Sequence, residues 1–258
     1  MTGPAVWAVV PVKAPGEGKS RLALVLGPEE RSRLVAAMLE RVVMAAHACP
    51  AITRVCLVGP SDHGLGDAVT LLADNGAGLN GALAAAVAGL TDRGEWPPCH
   101  PEPVSGSIVP PPRPSDAVTR AGQWRTEPLV GTAAGTLKQV QGVDASGARL
   151  LARPERVIVI AADLPQVDTR DFAMLADSAP GSIGIAPDRH GTGTNALSIP
   201  LLVVPAFRFQ YGPGSYVAHR RESAGLGYSV ETMLSDGLEK DIDDSADLTD
   251  AEGCLQVA

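Results

Sequence analysis

The sequence predicts an α/β fold, a doubly wound sheet with helices on both faces, and three observations predict it. Apolar runs without alternation, residues 5–12 and 156–163, read as strands buried on both sides. They are interleaved with helical stretches at residues 28–48 and 79–90, and strand–helix alternation is the pattern of such a sheet. The chain has 258 residues, 45% of them hydrophobic but only 3% aromatic, so a large core is available and aliphatic side chains must build it.

The elements follow in order. After the first strand comes a turn-rich loop, residues 13–27, and then a helix that opens on Pro28, Glu29 and Glu30. Proline suits a first helical turn, and the acids face the positive end of the dipole. Leu34, Met38, Val42 and Ala45 form its apolar stripe. Strands are predicted at 53–58 and 69–72, and an Ala-rich helix at 79–90. The strongest strand, 156–163, ends in Asp163. Beyond it the pattern gives a helix at 169–177, strands at 182–186 and 195–199, a helix at 214–224, a strand at 227–232, and an acidic tail from Asp241 leading into a last short helix.

Residues 91–154 interrupt this pattern. They hold ten of the 22 prolines, with no sustained period of 2 or 3.6, and read as an irregular insertion. The expectation is a single domain over residues 1–258, interrupted there. A net charge of −8 argues against a nucleic-acid partner. No window approaches 18 apolar residues and no basic n-region precedes the first apolar run, so no membrane role is expected and the cytoplasm is the default. The four cysteines show no C-x-x-C spacing and no His at metal-ligand spacing, which indicates neither a zinc site nor a disulfide framework.

Chemistry is concentrated in a few places. The loop after the first strand carries Lys13, Lys19 and Arg21 beside Gly16 and Gly18, a combination suited to phosphate through backbone amides and side-chain charge. It lacks the first glycine of a P-loop, and a solvated basic turn would look the same. Asp163 ends an apolar strand, where a carboxylate needs a partner: a magnesium ion, or the N–H groups of a following helix if it is an N-cap. Four acids fall within residues 241–247, more often a solvated surface than a ligand set, but Asp241 and Asp243 flank Ile242, so in an extended segment one of them can face a cleft while Ile242 faces the core. The run from Asp188 to Asn195, D-R-H-G-T-G-T-N, suits a small phosphorylated or carboxylated acceptor, and Ser215 follows G-P-G at the start of a helix. His190 stands alone in its loop, and His47, His63, His100 and His219 fall at no catalytic spacing.

Taken in order, Pro11-Val12-Lys13, Lys19-Ser20-Arg21-Leu22, Gly78-Leu79-Asn80, Ala162-Asp163-Leu164-Pro165, Asp188 to Leu197, Gly212-Pro213-Gly214-Ser215 and Asp241-Ile242-Asp243 resemble the 2-phospho-L-lactate guanylyltransferase family of coenzyme F420 biosynthesis. The D-R-H-G-T-G-T-N-A-L run and G-P-G-S are the most specific parts. The tail departs from the family's D-x-D-T-P-x-D-L, with Asp244-Ser245 in place of Thr-Pro, and Tyr211 stands where Phe is common.

The resemblance implies a Rossmann-like mixed sheet of the glycosyltransferase-A-like nucleotidyltransferase type, in three α/β/α layers. It implies transfer of GMP from GTP to phosphoenolpyruvate, 2-phospho-L-lactate or 3-phospho-D-glycerate, with release of pyrophosphate. By the same resemblance Lys13, Lys19 and Arg21 would contact the GTP phosphates, and Gly78, Leu79 and Asn80 would lie beside the nucleoside. Asp163 with Asp241 or Asp243 would hold Mg2+, while Thr194, Gly212 and Ser215 would bind the acceptor. A downstream enzyme of the F420 pathway and a second copy of the chain are the partners it admits. Other readings are a molybdenum-cofactor or sugar-phosphate nucleotidyltransferase and a non-catalytic nucleotide-binding protein.

Overall fold

The computed structural model describes residues 5–92 and 154–251, all of them within the compact unit formed by Met1–Trp96 and Leu151–Ala258. The insertion expected at 91–154 therefore lies outside the described residues, except at its two borders. At the first border the preceding helix continues to Asp92, two residues further than its Ala-rich run suggests.

Seven strands form one mixed sheet: β1 (Val6–Pro11), β2 (Ile52–Gly59), β3 (Thr70–Ala73), β4 (Arg156–Ile160), β5 (Ser182–Pro187), β6 (Thr194–Pro200) and β7 (Ser229–Thr232). Their order is β3-β2-β1-β4-β6-β5-β7. β1 pairs in parallel with both β2 and β4, β2 with β3, and β5 with β7, whereas β6 is antiparallel to β4 and β5. Among the described strands only β6 is reversed. Its first residue, Thr194, therefore lies on the sheet edge where the other strands end, and that edge is where ligands bind in open α/β sheets.

The unalternating strands pack on both faces. From β1, Val6, Ala8 and Val10 enter one core with Leu39 and Val42 of α1 (Pro28–Ala48) and Phe172 and Leu175 of α3 (Thr169–Ala176). Trp7 and Val9 enter the other, with Leu83 and Val87 of α2 (Gly78–Asp92) and with Phe207 and Phe209, which lead toward α4 (Ser215–Gly225). Three layers result. All four residues of the predicted α1 stripe are buried, and Gly27 N donates to Glu30 Oε2 at 2.6 Å across the helix start. Among the described residues no helix is long and apolar enough to cross a membrane.

Two differences from expectation concern the site. β4 ends at Ile160, so Asp163 stands three residues into the following loop rather than on the strand. Nor is Asp163 an N-cap: Asp168 caps α3, its carboxylate accepting from the backbone N–H of Arg170 and Asp171. Sequence reading also missed α5 (Asp236–Glu239), capped by Ser235, because one turn has no periodicity to detect. Gly237 is fixed by contact, since a Cβ there would lie 2.1 Å from the Asp171 carboxylate.

Candidate active site

The chain runs β1, β2, β3 to one side of β1 and then returns to place β4 on the other. That change of direction opens a crevice beyond the ends of β1 and β4. A cleft of about 720 Å³ lies there, lined by Lys13, Lys19, Arg21, Leu79, Asp163 and Asp243 among others. Six of the residues singled out by sequence thus meet in one place.

Lys19 is its central cation. Gly16 and Gly18 have φ of +83° and +108°, and Lys19 itself is left-handed at +50°, a conformation that costs a non-glycine residue about 1 kcal/mol. The turn drives the lysine inward. Its Nζ donates to Asp163 Oδ2 at 2.5 Å and to Asp243 Oδ1 at 3.3 Å, with the side chain only 9% exposed. Burial works against its charge, but Asp163 and then Asp243 outweigh burial and hold the pKa above that of a free lysine. Arg21 is outermost, 3.9 Å from Asp243. Lys13 is positioned through its backbone: its carbonyl accepts from His63 Nε2 at 2.8 Å. Gly59 touches the same loop, because a Cβ there would sit 2.5 Å from the Val12 carbonyl oxygen.

The acidic tail is docked against this cleft. Ile242 is fully buried with Leu22, Leu34 and Met38, as the alternation of Asp241 and Asp243 about it requires. Its N–H donates to the Asp163 carbonyl at 3.3 Å. Asp241 is raised above the usual carboxylate pKa, first by burial and then by the charge of Asp163, against a hydrogen bond from Asn195. Sequence reasoning places Asp188 to Asn195 around the acceptor; in the structure the run also holds the tail. Arg189 Nη2 donates to the Asp241 carbonyl at 2.9 Å and Nη1 pairs with Asp247 at 3.2 Å. Asn195 Nδ2 donates to the Leu238 carbonyl at 2.9 Å and to Asp241 Oδ1 at 3.3 Å. The loop is closed by Asp188, which accepts from the backbone N–H of His190, Thr192 and Gly193.

Among the described residues no three or more His, Cys, Asp or Glu side chains stand grouped to hold a metal ion. Asp163 and Asp243 instead share the Lys19 ammonium, and Asp241 turns to Asn195. The donor chemistry nevertheless fits a hard cation, since carboxylate oxygens converge on one positive charge.

The residues expected around the acceptor gather on the α4 side. Successive strand residues face opposite ways: Asn195 meets the tail, and Thr194 meets His219 of α4, Oγ1 to Nδ1 at 3.0 Å. His219 is fully buried and burial lowers its pKa to about 4, so it is neutral at pH 7. Gly214, at φ +75°, caps α4, and Ser215 beside it is buried. Tyr216 N donates to the Thr192 carbonyl at 3.2 Å, which joins the helix start to the Asp188 loop.

Of the three residues expected beside the nucleoside, Gly78 turns the chain into α2 at φ +73°, and Leu79 lines the cleft. Asn80 is engaged elsewhere, giving to and receiving from the Tyr211 backbone at 3.1 and 2.8 Å. It thereby ties α2 to the G-P-G-S turn.

The model for the family described as "Guanylyl transferase CofC like" matches residues 6–93 and 138–252. The chain belongs to this family. The match resumes at residue 138, so part of the segment expected to be an insertion is family sequence. A phosphoenolpyruvate guanylyltransferase of Nocardia farcinica is 32% identical over 95% of this chain and 84% of its own length. One of Sphaerobacter thermophilus is 28% identical over 95% and 92%. A 2-phospho-L-lactate guanylyltransferase of Natrialba magadii is 29% identical over 90% and 77%. Among solved structures, a nucleotidyl transferase from Methanothermobacter aligns with a TM-score of 0.54 at 13% identity, over 99% of this chain and all of that one. A CMP:2-keto-3-deoxy-manno-octonic acid synthetase aligns at 0.50 and 9% identity, over 98% and 99%. These likenesses establish the nucleotidyltransferase-type fold. As a CofC-like protein the chain is a guanylyltransferase.

One departure from the family pattern has a measurable outcome. The Tyr211 hydroxyl is buried without a hydrogen-bond partner among the described residues, and burial pushes its pKa well above the ordinary value. Such an atom costs stability. Tyr211→Phe is expected to stabilise the CofC-like fold by about 1 kcal/mol in urea denaturation, and a destabilised variant would mean that the hydroxyl is satisfied.

Proposed function

We propose that the protein transfers GMP from GTP to phosphoenolpyruvate, releasing pyrophosphate, as a step of coenzyme F420 biosynthesis. The observation that carries the reading is the Lys19–Asp163–Asp243 cluster, which Lys13 and Arg21 flank in the same cleft. Of five relatives matched over at least nine-tenths of the chain, four carry the name phosphoenolpyruvate guanylyltransferase and one 2-phospho-L-lactate guanylyltransferase, which favours phosphoenolpyruvate over 2-phospho-L-lactate and 3-phospho-D-glycerate.

The chemistry asks little of a general base. The acceptor phosphate is ionised at neutral pH, so its oxygen attacks the α-phosphorus directly while the bond to the bridging oxygen breaks and pyrophosphate leaves. Repulsion between anions is the barrier, and placed cations lower it. Lys13, Lys19 and Arg21 hold the triphosphate, Leu79 lies against the nucleoside, and Thr194, Gly212 and Ser215 hold the acceptor. When bound, Mg2+ supplies charge neutralisation at the phosphates, and Asp163 and Asp243 would hold it, with Asp241 behind them. Lys19, which donates to one oxygen of Asp163, would stand beside the cation and the phosphates with its other protons facing the nucleotide.

Pyrophosphate release measured with Mg2+, each of four NTPs and each of the three acceptors tests this. GTP with phosphoenolpyruvate should be the fastest pair. Release that needs no acceptor, or that prefers another nucleotide, overturns the proposal.

A further inference from the structure

His219 is a buried titratable group that the reaction above does not use, and its hydrogen bonds are unusually well determined. The Gln210 backbone N–H donates to Nε2 at 2.9 Å. A backbone N–H cannot accept, so Nε2 must carry a lone pair, and in the neutral ring the proton is on Nδ1. Nδ1–H then donates to Thr194 Oγ1, 3.0 Å away. The threonine oxygen being the acceptor here, its own O–H is left to donate elsewhere. Among the described residues no acceptor takes that proton, although Thr194 is only 6% exposed.

The ring is also held in place. Phe207 stacks on it with centroids 5.8 Å apart, and Tyr211 meets it edge-on at 4.9 Å. Tyr211 is in turn fixed by Asn80 through its backbone. A buried hydroxyl oriented by a locked imidazole, with its proton unclaimed, is a prepared donor for an anion.

We infer that His219 is a positioning residue for the acceptor: it fixes the Thr194 hydroxyl as a hydrogen-bond donor aimed at the acceptor's anionic oxygens. The inference rests on the reading of Thr194 as an acceptor-binding residue. The acceptor itself never touches His219, whose effect passes entirely through Thr194.

Steady-state kinetics on Thr194→Val, Thr194→Ser, His219→Leu, His219→Gln and the double variant Thr194→Val/His219→Leu test it. A lost bond to a charged ligand corresponds to about a tenfold or larger change. Thr194→Val and His219→Leu should each raise the acceptor KM by about tenfold and leave the GTP KM unchanged, and the double variant should be no worse than either. Thr194→Ser keeps the hydroxyl. His219→Gln can accept from Gln210 through Oε1 and donate through Nε2, so both variants should recover most of the acceptor affinity. An unchanged acceptor KM in Thr194→Val sinks the acceptor-site reading itself. If that variant is impaired while His219→Leu is not, the reading stands and the positioning role falls. Should His219→Leu fail to fold, His219→Gln decides alone: folded but as impaired as Thr194→Val, it overturns the inference.

Discussion

Asp163→Asn is expected to lower the rate of guanylyl transfer by about a thousandfold or more while the fold stays intact. The substitution keeps the size of the side chain and touches neither the Asp163 carbonyl that accepts from Ile242 nor the strand before it. What it removes is the negative charge that faces Lys19 at 2.5 Å and that would hold the metal. Lys19 keeps Asp243 as a second partner, so the stability cost should be about 1–2 kcal/mol rather than that of a fully orphaned buried charge. Pyrophosphate release and circular dichroism on the same sample separate the two effects. Activity within tenfold of the parent protein would exclude the carboxylate from the chemistry.

Much of the scaffold that makes this argument possible was legible in the sequence, because it depends on local signals. Doubly buried strands read as unbroken apolar runs, and α1 announced itself by Pro28, its acids and its stripe. The sequence carries β4 too far because Ala161 and Ala162 continue the apolar run without a break; the Ala161 N–H still bonds to the Asn195 carbonyl, but the ladder goes no further. Asp163 is visible as an acid closing an apolar run, and Asp241 and Asp243 through their alternation about Ile242. Their partners were not, since Lys19 and Asp163 are 144 residues apart and only the arrangement of β1 beside β4 brings them together. His219 stands at no catalytic spacing in the sequence, and its partner is a threonine brought to it by the reversal of β6. The Asp188 to Asn195 run reads as an acceptor-binding motif. No one-dimensional pattern could reveal that Arg189 and Asn195 point to the tail.

That tail contact gives the second large effect. Arg189→Ala should reduce kcat/KM by about 10- to 100-fold where Asp241 and Asp243 hold the metal as proposed, the size of effect that follows when a group orienting such a carboxylate is removed. The Arg189 backbone N–H would still reach the Glu239 carbonyl, so the loop stays in place, but the guanidinium fork to the Asp241 carbonyl and to Asp247 disappears. Asp247 in turn accepts the N–H groups of Asp243 and Asp244 at 2.8 and 2.9 Å, which closes the turn that presents Asp243 to Lys19. Loosening it at one point therefore displaces both acids. Lysine at this position should rescue only in part, because an ammonium supplies one point of charge where the planar fork serves two acceptors. If the loss is one of presentation, the alanine variant should need more Mg2+ for half-maximal rate. Asp247→Asn, acting on the same turn from its other side, should shift that requirement in the same direction. A variant lacking the arginine that works within twofold of the parent at every Mg2+ concentration would show that the tail holds its shape without the clamp.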